Sequence, residues 1–192
     1  MFKELKLYKN VLSPKICQKL IDTFNNDPSV SKDPQPDYST RDFAKISDSK
    51  NKKWLRLVDQ VYEKLEFVTQ DYFDRPEGFE GVMLPEWSDD GLVMSRYNRG
   101  DSLILHVDGH SCTPPNNHLR VATVVFYLND VEVGGETFFP LQNKKIKPMR
   151  GSCIIFPPTL NFPHQVFASK SARYIIQSWI VDPHLLVVPN ED

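Results

Sequence analysis

The stretch RVATVVFYLNDVEVGGETFFP, residues 120–140, decides how this chain folds. Its first half predicts a strand with two different faces, because successive side chains of a strand point to opposite sides. One face carries Ala122, Val124, Phe126 and Leu128, and the other carries Thr123, Val125 and Tyr127. The first set predicts core packing. The second set, which offers hydroxyl groups, predicts the wall of a pocket.

Several short apolar runs flank this strand, each bounded by Gly, Pro or Asn. They read GLVMSRY, SLILHVD, ETFFP, SCIIFP, HQVFAS and RYIIQSWIV. Short strands in series are typical of an antiparallel sandwich or barrel rather than of alternating βαβ units. We therefore predict a mainly β fold with a double-stranded β-helix, or jelly-roll, core over residues 91–182.

Residues 1–90 predict a helical support region, within a single domain spanning residues 1–192. Ser13 and Pro14 suit the cap and the first position of a helix that ends near residue 26. A second helix is predicted over residues 51–73. Its apolar stripe comprises Trp54, Leu55, Val58, Val61, Tyr62, Leu65 and Val68. The polar, proline-rich residues 28–50 between the helices predict a flexible loop, either a flap over a site or a disordered excursion.

Composition excludes several classes of protein. With 23 basic and 25 acidic residues the net charge is −2, so no basic surface favours nucleic acid. The three cysteines, Cys17, Cys112 and Cys153, are too scattered for a disulfide framework or a zinc site, and core packing is expected for Cys17 and Cys153. The N-terminus MFKELKLYKN lacks an apolar signal region, and no stretch approaches membrane-spanning length. We expect a cytoplasmic protein without nucleic-acid or membrane partners.

Residues 103–110, LILHVDGH, place polar side chains in an apolar strand. Strict alternation would put Ser102, Ile104, His106 and Asp108 on one face. A His and a carboxylate on one face can share a metal ion, and a second His would complete the 2-His-1-carboxylate triad of non-haem Fe(II) sites. The residues alone leave four candidates for that second His: His110, His118, His164 and His184.

The strand RYIIQSWIV begins with Arg173, nine residues after His164. Alternation places Arg173 on one face with Ile175, Gln177 and Trp179. A buried arginine needs an anionic partner, and its planar fork suits a carboxylate. A bound ligand and a structural ion pair with an acidic residue remain alternatives on spacing alone.

Four segments in order carry a resemblance to a known family: the opening KNVLSPKICQKLID, HVD, YLNDVEVGGETFFP and the distal H-x8-R. The chain resembles the prolyl 4-hydroxylases, within the 2-oxoglutarate- and Fe(II)-dependent oxygenases. The resemblance covers nearly the whole chain and is strongest over residues 94–180. It implies a role for each matching residue. By resemblance, the iron ligands are His106, Asp108 and His164. The other matches are Arg173 and Tyr127 on the distal carboxylate of 2-oxoglutarate, Tyr97 and Thr137 in the cosubstrate pocket, Trp179 near the metal, and Arg120 facing substrate.

This sequence departs from the family pattern at position 103, and its basic residue after the distal His does not settle which branch of the family it resembles. The family often carries a second tyrosine three residues before the first metal His, where this chain has Leu103. The basic residue is Arg173 rather than the lysine, ten residues after the His, of the collagen-type enzymes. This spacing resembles the oxygen-sensing prolyl hydroxylases and leaves the branch, and so the substrate, open.

The resemblance implies a dioxygenase that hydroxylates an unactivated C–H bond, foremost that of a prolyl residue in a protein or peptide. The reaction would use Fe(II), O₂ and 2-oxoglutarate, which is decarboxylated to succinate and CO₂, with ascorbate as an accompanying reductant. Two alternatives are an oxygenase of the same class acting on another amino acid or a small molecule, and a non-catalytic jelly-roll binding module. A substrate role is expected for the loop at 109–118, and the oligomeric state is left open.

Overall fold

The computed structural model of this chain describes residues 4–34, 37–74, 87–109 and 118–186. Two helices precede most of the strands, as predicted: α1 spans Pro14–Asn25 and α2 spans Lys52–Phe73. The hydroxyl of Ser13 accepts a hydrogen bond from the amide of Ile16 (3.3 Å), and Pro14 is the first helical residue. This start satisfies an amide that the helix leaves unpaired, which is why Ser and Pro favour these positions.

Helix α2 buries most of its predicted apolar stripe. Leu55 is the exception, since 57% of it is exposed, whereas Leu57 is buried at 7%. Consecutive helical residues are about 100° apart around the axis. Leu55, next to the buried Trp54, therefore turns away from the sheet, and the prediction for Leu55 was wrong.

In the described ranges, twelve strands form two sheets. They are β1 (Lys6–Tyr8), β2 (Ser31–Lys32), β3 (Asp42–Lys45), β4 (Ser88–Asp89), β5 (Val93–Tyr97), β6 (Leu103–His106), β7 (His118–Tyr127), β8 (Thr137–Phe139), β9 (Lys144–Ile146), β10 (Cys153–Phe156), β11 (His164–Val166) and β12 (Arg173–Leu186). The larger sheet has the order β1-β10-β7-β12-β5-β3-β2, with β4 also paired to β12, and the smaller has the order β6-β11-β8-β9. All described pairings are antiparallel, so the predicted mainly β fold with N-terminal helices is confirmed.

The two faces of β7 divide the interior as predicted. Its first set of side chains packs with the helices in one hydrophobic cluster, together with Trp54 and Leu65. Val125 and Tyr127, from its second face, lie in another cluster with residues of the smaller sheet, such as Val166. The second cluster lies between the sheets, where the candidate site is found.

The segment 28–50 is more regular than predicted. Strand β3 pairs with β5 and β2 pairs with β3, so both strands extend the larger sheet. The prediction of one continuous loop was therefore wrong for residues 31–32 and 42–45. Only Ala44 and Ile46 in the β3 region are buried apolar residues, too few for the local pattern to indicate a strand.

Cys17 and Cys153 are free and fully buried, as predicted, whereas Cys112 lies outside the described residues. The loop predicted at 109–118 also lies mostly outside them, although β7 begins at His118, which had been assigned to that loop. Neither α1 nor α2 combines the length and the apolar character needed to cross a membrane.

Candidate metal centre and anion pocket

Strands β6 and β11 bring two of the predicted ligands together. They pair antiparallel with His106 opposite His164, and the centroids of the two rings are 4.2 Å apart. Asp108 follows β6 and turns back toward both rings. The His106 Nε2–Asp108 Oδ1 distance is 3.5 Å, and the His164 Nε2–Asp108 Oδ2 distance is 3.7 Å. Two ligands of one ion, each about 2.1 Å from it, lie about 3 to 4 Å apart, so the three side chains fit a single metal ion.

Backbone carbonyls orient both imidazole rings. Nδ1 of His106 lies 2.8 Å from the carbonyl oxygen of Ile104, and Nδ1 of His164 lies 3.2 Å from that of Phe162. Because a carbonyl only accepts, each Nδ1 must carry the proton, which leaves the lone pair on Nε2. This is the arrangement by which proteins present a histidine to a metal.

An irregularity in β6 directs His106 inward. The pairing with β11 runs from His106 opposite His164 to Leu103 opposite Val166, so three steps on β6 match two on β11. The extra residue is a β-bulge, which breaks the alternation of side chains. Leu103 lines the cavity with His106, whereas Ile104 is 50% exposed. The prediction that Ile104 shares the face of His106 was wrong for this reason.

Asp108 is held from two sides by residues of β7. The hydroxyl of Thr123 donates to Asp108 Oδ2 (2.6 Å), and Nη1 of Arg120 donates to the Asp108 carbonyl (3.0 Å). Burial by itself would raise the pKa of Asp108, but the adjacent imidazoles of His106 and His164 and the Thr123 hydroxyl hold that pKa well below its usual range. The carboxylate is thus ionised, as a metal ligand requires.

His164 is buried, and desolvation lowers its pKa although the Asp108 charge opposes this effect. A lowered pKa favours the neutral imidazole, which is the form that binds a metal. Among the described residues, His106, Asp108 and His164 form the one group of three or more such ligands in which one donor atom from each lies within 4.8 Å of the others. His184 is outside this group, and His110 and the His118 side chain are outside the described residues.

The opposite end of the cavity carries a buried cation. Arg173 is 1% exposed, and its Nη2 donates to Thr137 Oγ1 (3.1 Å). Within the described part of the chain, its Nε and Nη1 have no hydrogen-bond partner. A buried charge left with unpaired donors is costly, so the structural ion pair is not supported. The carboxylate of a bound ligand would supply an anionic acceptor for these donors.

Three side chains predicted for the cosubstrate pocket surround Arg173. Its guanidinium lies 5.0 Å from the ring centroid of Tyr97 and 5.4 Å from that of Tyr127. The Tyr127 hydroxyl is 2.9 Å from Thr137 Oγ1, and burial raises the pKa of Tyr127 although the Arg173 charge opposes this effect. The Gly134–Gly135 pair before Thr137 allows close packing, since a side chain at Gly134 would meet the Ala168 carbonyl at 2.1 Å.

One cavity contains both the metal-ligand candidates and Arg173, but two of the predicted site residues do not line it. Its lining includes the three metal-ligand candidates, Arg173, Tyr97, Thr137, Val125 and Ile175. Trp179 and Arg120 do not line it. Instead, the Arg120 guanidinium lies 3.9 Å from the Trp179 ring centroid and forms an ion pair with Asp90 (3.2 Å). Arg120 thus supports Asp108 from outside the cavity.

Sequence reasoning missed Gln177 and Arg41. Gln177 lines the cavity and lies on the face of β12 that alternation gives to Arg173, so this signal could have found it. Thr123 also lines the cavity, on the face of β7 that was predicted to form a pocket wall. Arg41 donates to Gln177 Oε1 (2.9 Å) and Tyr97 Oη (3.5 Å), while its Nε pairs with Asp33 (3.0 Å). No local pattern indicates Arg41, because its partners on β12 and β5 are distant in the chain.

Known families contain proteins that are similar to this chain. Residues 92–181 match the model of the 2OG-Fe(II) oxygenase superfamily. Prolyl 4-hydroxylase 5 of Arabidopsis thaliana is 30% identical to this chain over 139 residues, which cover 70% of this chain and 44% of that protein. The predicted resemblance to the prolyl 4-hydroxylase group is therefore confirmed. The chain spans less than half the length of the curated relatives it matches.

Two solved structures share the fold. The viral collagen prolyl hydroxylase vCPH of Paramecium Bursaria Chlorella virus-1, in its 2OG complex, has a TM-score of 0.69 and 22% identity, and the match covers 93% of this chain and 96% of that one. A Trichoplax adhaerens prolyl hydroxylase, in complex with a peptide fragment of the hypoxia inducible factor oxygen degradation domain, has a TM-score of 0.72 and 19% identity, with coverages of 94% and 84%. The predicted jelly-roll core is confirmed by these likenesses.

Proposed function

We propose that this chain is an Fe(II)- and 2-oxoglutarate-dependent dioxygenase that hydroxylates a prolyl residue of a protein or peptide. The observation that carries the proposal is the pairing, within one cavity, of a three-ligand metal cluster with a buried arginine that has two unpaired donors. A metal site alone or a cation alone would fit many proteins. The two together fit a metal-binding cosubstrate with an anionic tail.

His106, Asp108 and His164 would hold Fe(II), with both imidazoles neutral and the carboxylate ionised. Arg173 would pair with the distal carboxylate of 2-oxoglutarate, with Thr137 and Tyr127 fixing the guanidinium. When bound, Fe(II) and 2-oxoglutarate supply the oxidation of an unactivated C–H bond by O₂, with release of succinate and CO₂. The apolar side chains of Val125 and Ile175, which line the cavity, would exclude water from the cosubstrate. Ascorbate is proposed as the accompanying reductant.

A peptide substrate is supported by apolar side chains on the segments that carry the ligands. Ile104 and Leu105 on β6 are 50% and 52% exposed, and Leu160, shortly before His164, is 81% exposed. Exposed apolar side chains on these segments would offer contact area to a peptide. The relatives named as prolyl 4-hydroxylases favour proline as the residue attacked.

The experiment is mass spectrometry of proline-rich peptides after incubation with the protein, Fe(II), ascorbate and 2-oxoglutarate under air. We expect a gain of one oxygen atom on proline and an equal amount of succinate. Reactions without 2-oxoglutarate or without Fe(II) serve as controls. Succinate formation with oxygen found on another residue, or on no peptide, would contradict the prolyl assignment and favour the oxygenase of another substrate.

A further inference from the structure

At position 103 this chain lacks a tyrosine that the family often carries near the metal. The family pattern places a tyrosine three residues before the first metal histidine, and this chain has Leu103 there. Leu103 is 8% exposed and lines the cavity, so it offers an apolar wall but no hydroxyl group.

The segment 37–41 crosses β6 at this same position. Ser39 forms an antiparallel bridge with Leu103, and the amide of Ile104 donates to the Tyr38 carbonyl (3.3 Å). Ser39 is 1% exposed, so the crossing is tightly packed. A residue that is distant in the chain is thereby fixed beside the metal-bearing strand.

This crossing brings the ring of Tyr38 to the metal cluster. The ring centroids of Tyr38 and His106 are 5.2 Å apart with an interplanar angle of 73°, which is an edge-to-face contact. Tyr38 is half-buried, and its hydroxyl has no hydrogen-bond partner among the described residues. The phenol thus remains available to a ligand next to the metal.

Arg41 fixes the same segment to the larger sheet. Its guanidinium bonds to Gln177 on β12, to the Tyr97 hydroxyl on β5 and to Asp33 on its own segment. Gln177 and Tyr97 both line the cavity. These contacts make Arg41 a positioning residue, because it holds the segment that carries Tyr38 without contacting the metal ligands.

We propose that Tyr38 takes the place of the tyrosine missing at position 103 and forms a wall of the subsite for the residue to be oxidised. Its ring would pack against the C–H groups of a pyrrolidine ring, and its hydroxyl would hydrogen bond to a peptide carbonyl. The proposal rests on the proposed function, since it assigns a wall to the prolyl subsite beside His106.

The test compares the wild type with Tyr38→Ala and Tyr38→Phe in peptide hydroxylation. For Tyr38→Ala we expect KM for the peptide to rise about 10-fold, the size of a lost aromatic contact, and more succinate to form per hydroxylated product. Tyr38→Phe should keep the ring contact and give a smaller rise in KM. Anaerobic calorimetry should show unchanged binding of Fe(II) and 2-oxoglutarate. Tyr8→Ala, at a partly buried tyrosine on β1, is the matched control.

The possible outcomes distinguish a failure of the Tyr38 proposal from a failure of the proposed function. Wild-type hydroxylation with unchanged KM and coupling in Tyr38→Ala overturns the role of Tyr38 and leaves the proposed function standing. Loss of metal or 2-oxoglutarate binding in Tyr38→Ala shows that the segment only supports the fold, and also overturns it. A wild type that hydroxylates no prolyl peptide overturns the proposed function and the Tyr38 subsite with it.

Discussion

At the metal end of the cavity the chain satisfies its own polar groups, whereas at the other end it does not. Each imidazole is fixed by a carbonyl, and Asp108 accepts the hydroxyl of Thr123. Arg173, in contrast, has one bond to Thr137 and two buried donors without a partner in the described chain. The protein therefore preforms the candidate metal end, whereas a bound ligand would be needed to complete the anion end.

The largest expected effect follows from Asp108→Ala. Loss of a residue that merely supports a metal ligand costs about 10- to 100-fold in affinity, so loss of the ligand itself should weaken metal binding by more than about 100-fold. We expect no 2-oxoglutarate turnover. Anaerobic calorimetry with Fe(II) or Mn(II) measures the affinity. Asp130→Ala, at an exposed aspartate, is the control. Unchanged metal binding in Asp108→Ala would refute the metal centre.

Arg173→Met tests the unsatisfied end. Charged hydrogen bonds contribute about 1.5 to 3 kcal/mol each, so two of them predict a loss of 2-oxoglutarate affinity of about 100-fold or more. Metal binding should persist. Without cosubstrate the variant should be as stable as the wild type or more so, because an apolar side chain replaces a buried charge with unpaired donors.

Thermal unfolding with and without 2-oxoglutarate checks the Arg173 prediction. The wild type should gain stability on adding cosubstrate, since a ligand that binds only the folded state stabilises it, and Arg173→Met should gain little. Arg150→Met, at an exposed arginine, serves as the control. A variant that unfolds readily while keeping the cosubstrate response would show that Arg173 has a structural role instead.

The sequence predicts well those parts of the site in which side chains alternate regularly along a strand. Alternation along β7 separated the core face from the pocket face, and alternation along β12 placed Gln177 and Ile175 with Arg173. The carbonyl that orients His106, the bulge that turns it inward and the ring of Tyr38 beside it were not predictable. They depend on pairing between distant strands, which a local pattern does not encode.

Because a local pattern does not encode pairing between distant strands, the residues alone could not identify the third metal ligand. From the residues alone four histidines were eligible, and only the resemblance singled out His164. The structure brings His164 to His106 through a pairing of β6 with β11, across 58 residues of chain (164 − 106). Such long-range pairing is a property of the whole topology. The extent of the single domain over residues 1–192 stays a prediction.

A smaller effect is expected where the chain supports Asp108. Thr123→Val removes the hydroxyl that donates to Asp108 and keeps the shape of the side chain. We expect metal affinity to fall by about 10-fold, the lower bound for such supporting contacts. Thr69→Val is a matched control, because Thr69 is buried and its hydroxyl has no partner in the described chain. Equal metal affinities for the two variants would mean that Asp108 is oriented without Thr123.

The smallest effect on the site concerns Asp42, which anchors the strand that follows Arg41. Asp42 is 4% exposed and accepts bonds from Arg96 (2.7 Å), Asn98 (3.0 Å) and Lys32 (2.7 Å). Burial alone would raise its pKa, but these partners lower it to about 2. The pKa in the unfolded chain is near 4. The folded carboxyl therefore binds its proton less readily, and its contribution to stability is present above about pH 4 and lost as the pH falls toward about 2.

The lowered pKa of Asp42 predicts how the stability of Asp42→Asn depends on pH. The variant should lower the free energy of unfolding by about 2 kcal/mol near neutral pH. The difference should shrink as the pH falls below about 4, because the wild-type carboxyl becomes protonated there too. Urea unfolding at a series of pH values measures it, with Asp130→Asn as an exposed control that should show little change. A difference independent of pH would assign Asp42 to packing rather than charge. Metal and 2-oxoglutarate affinities should remain unchanged, since Asp42 does not line the cavity.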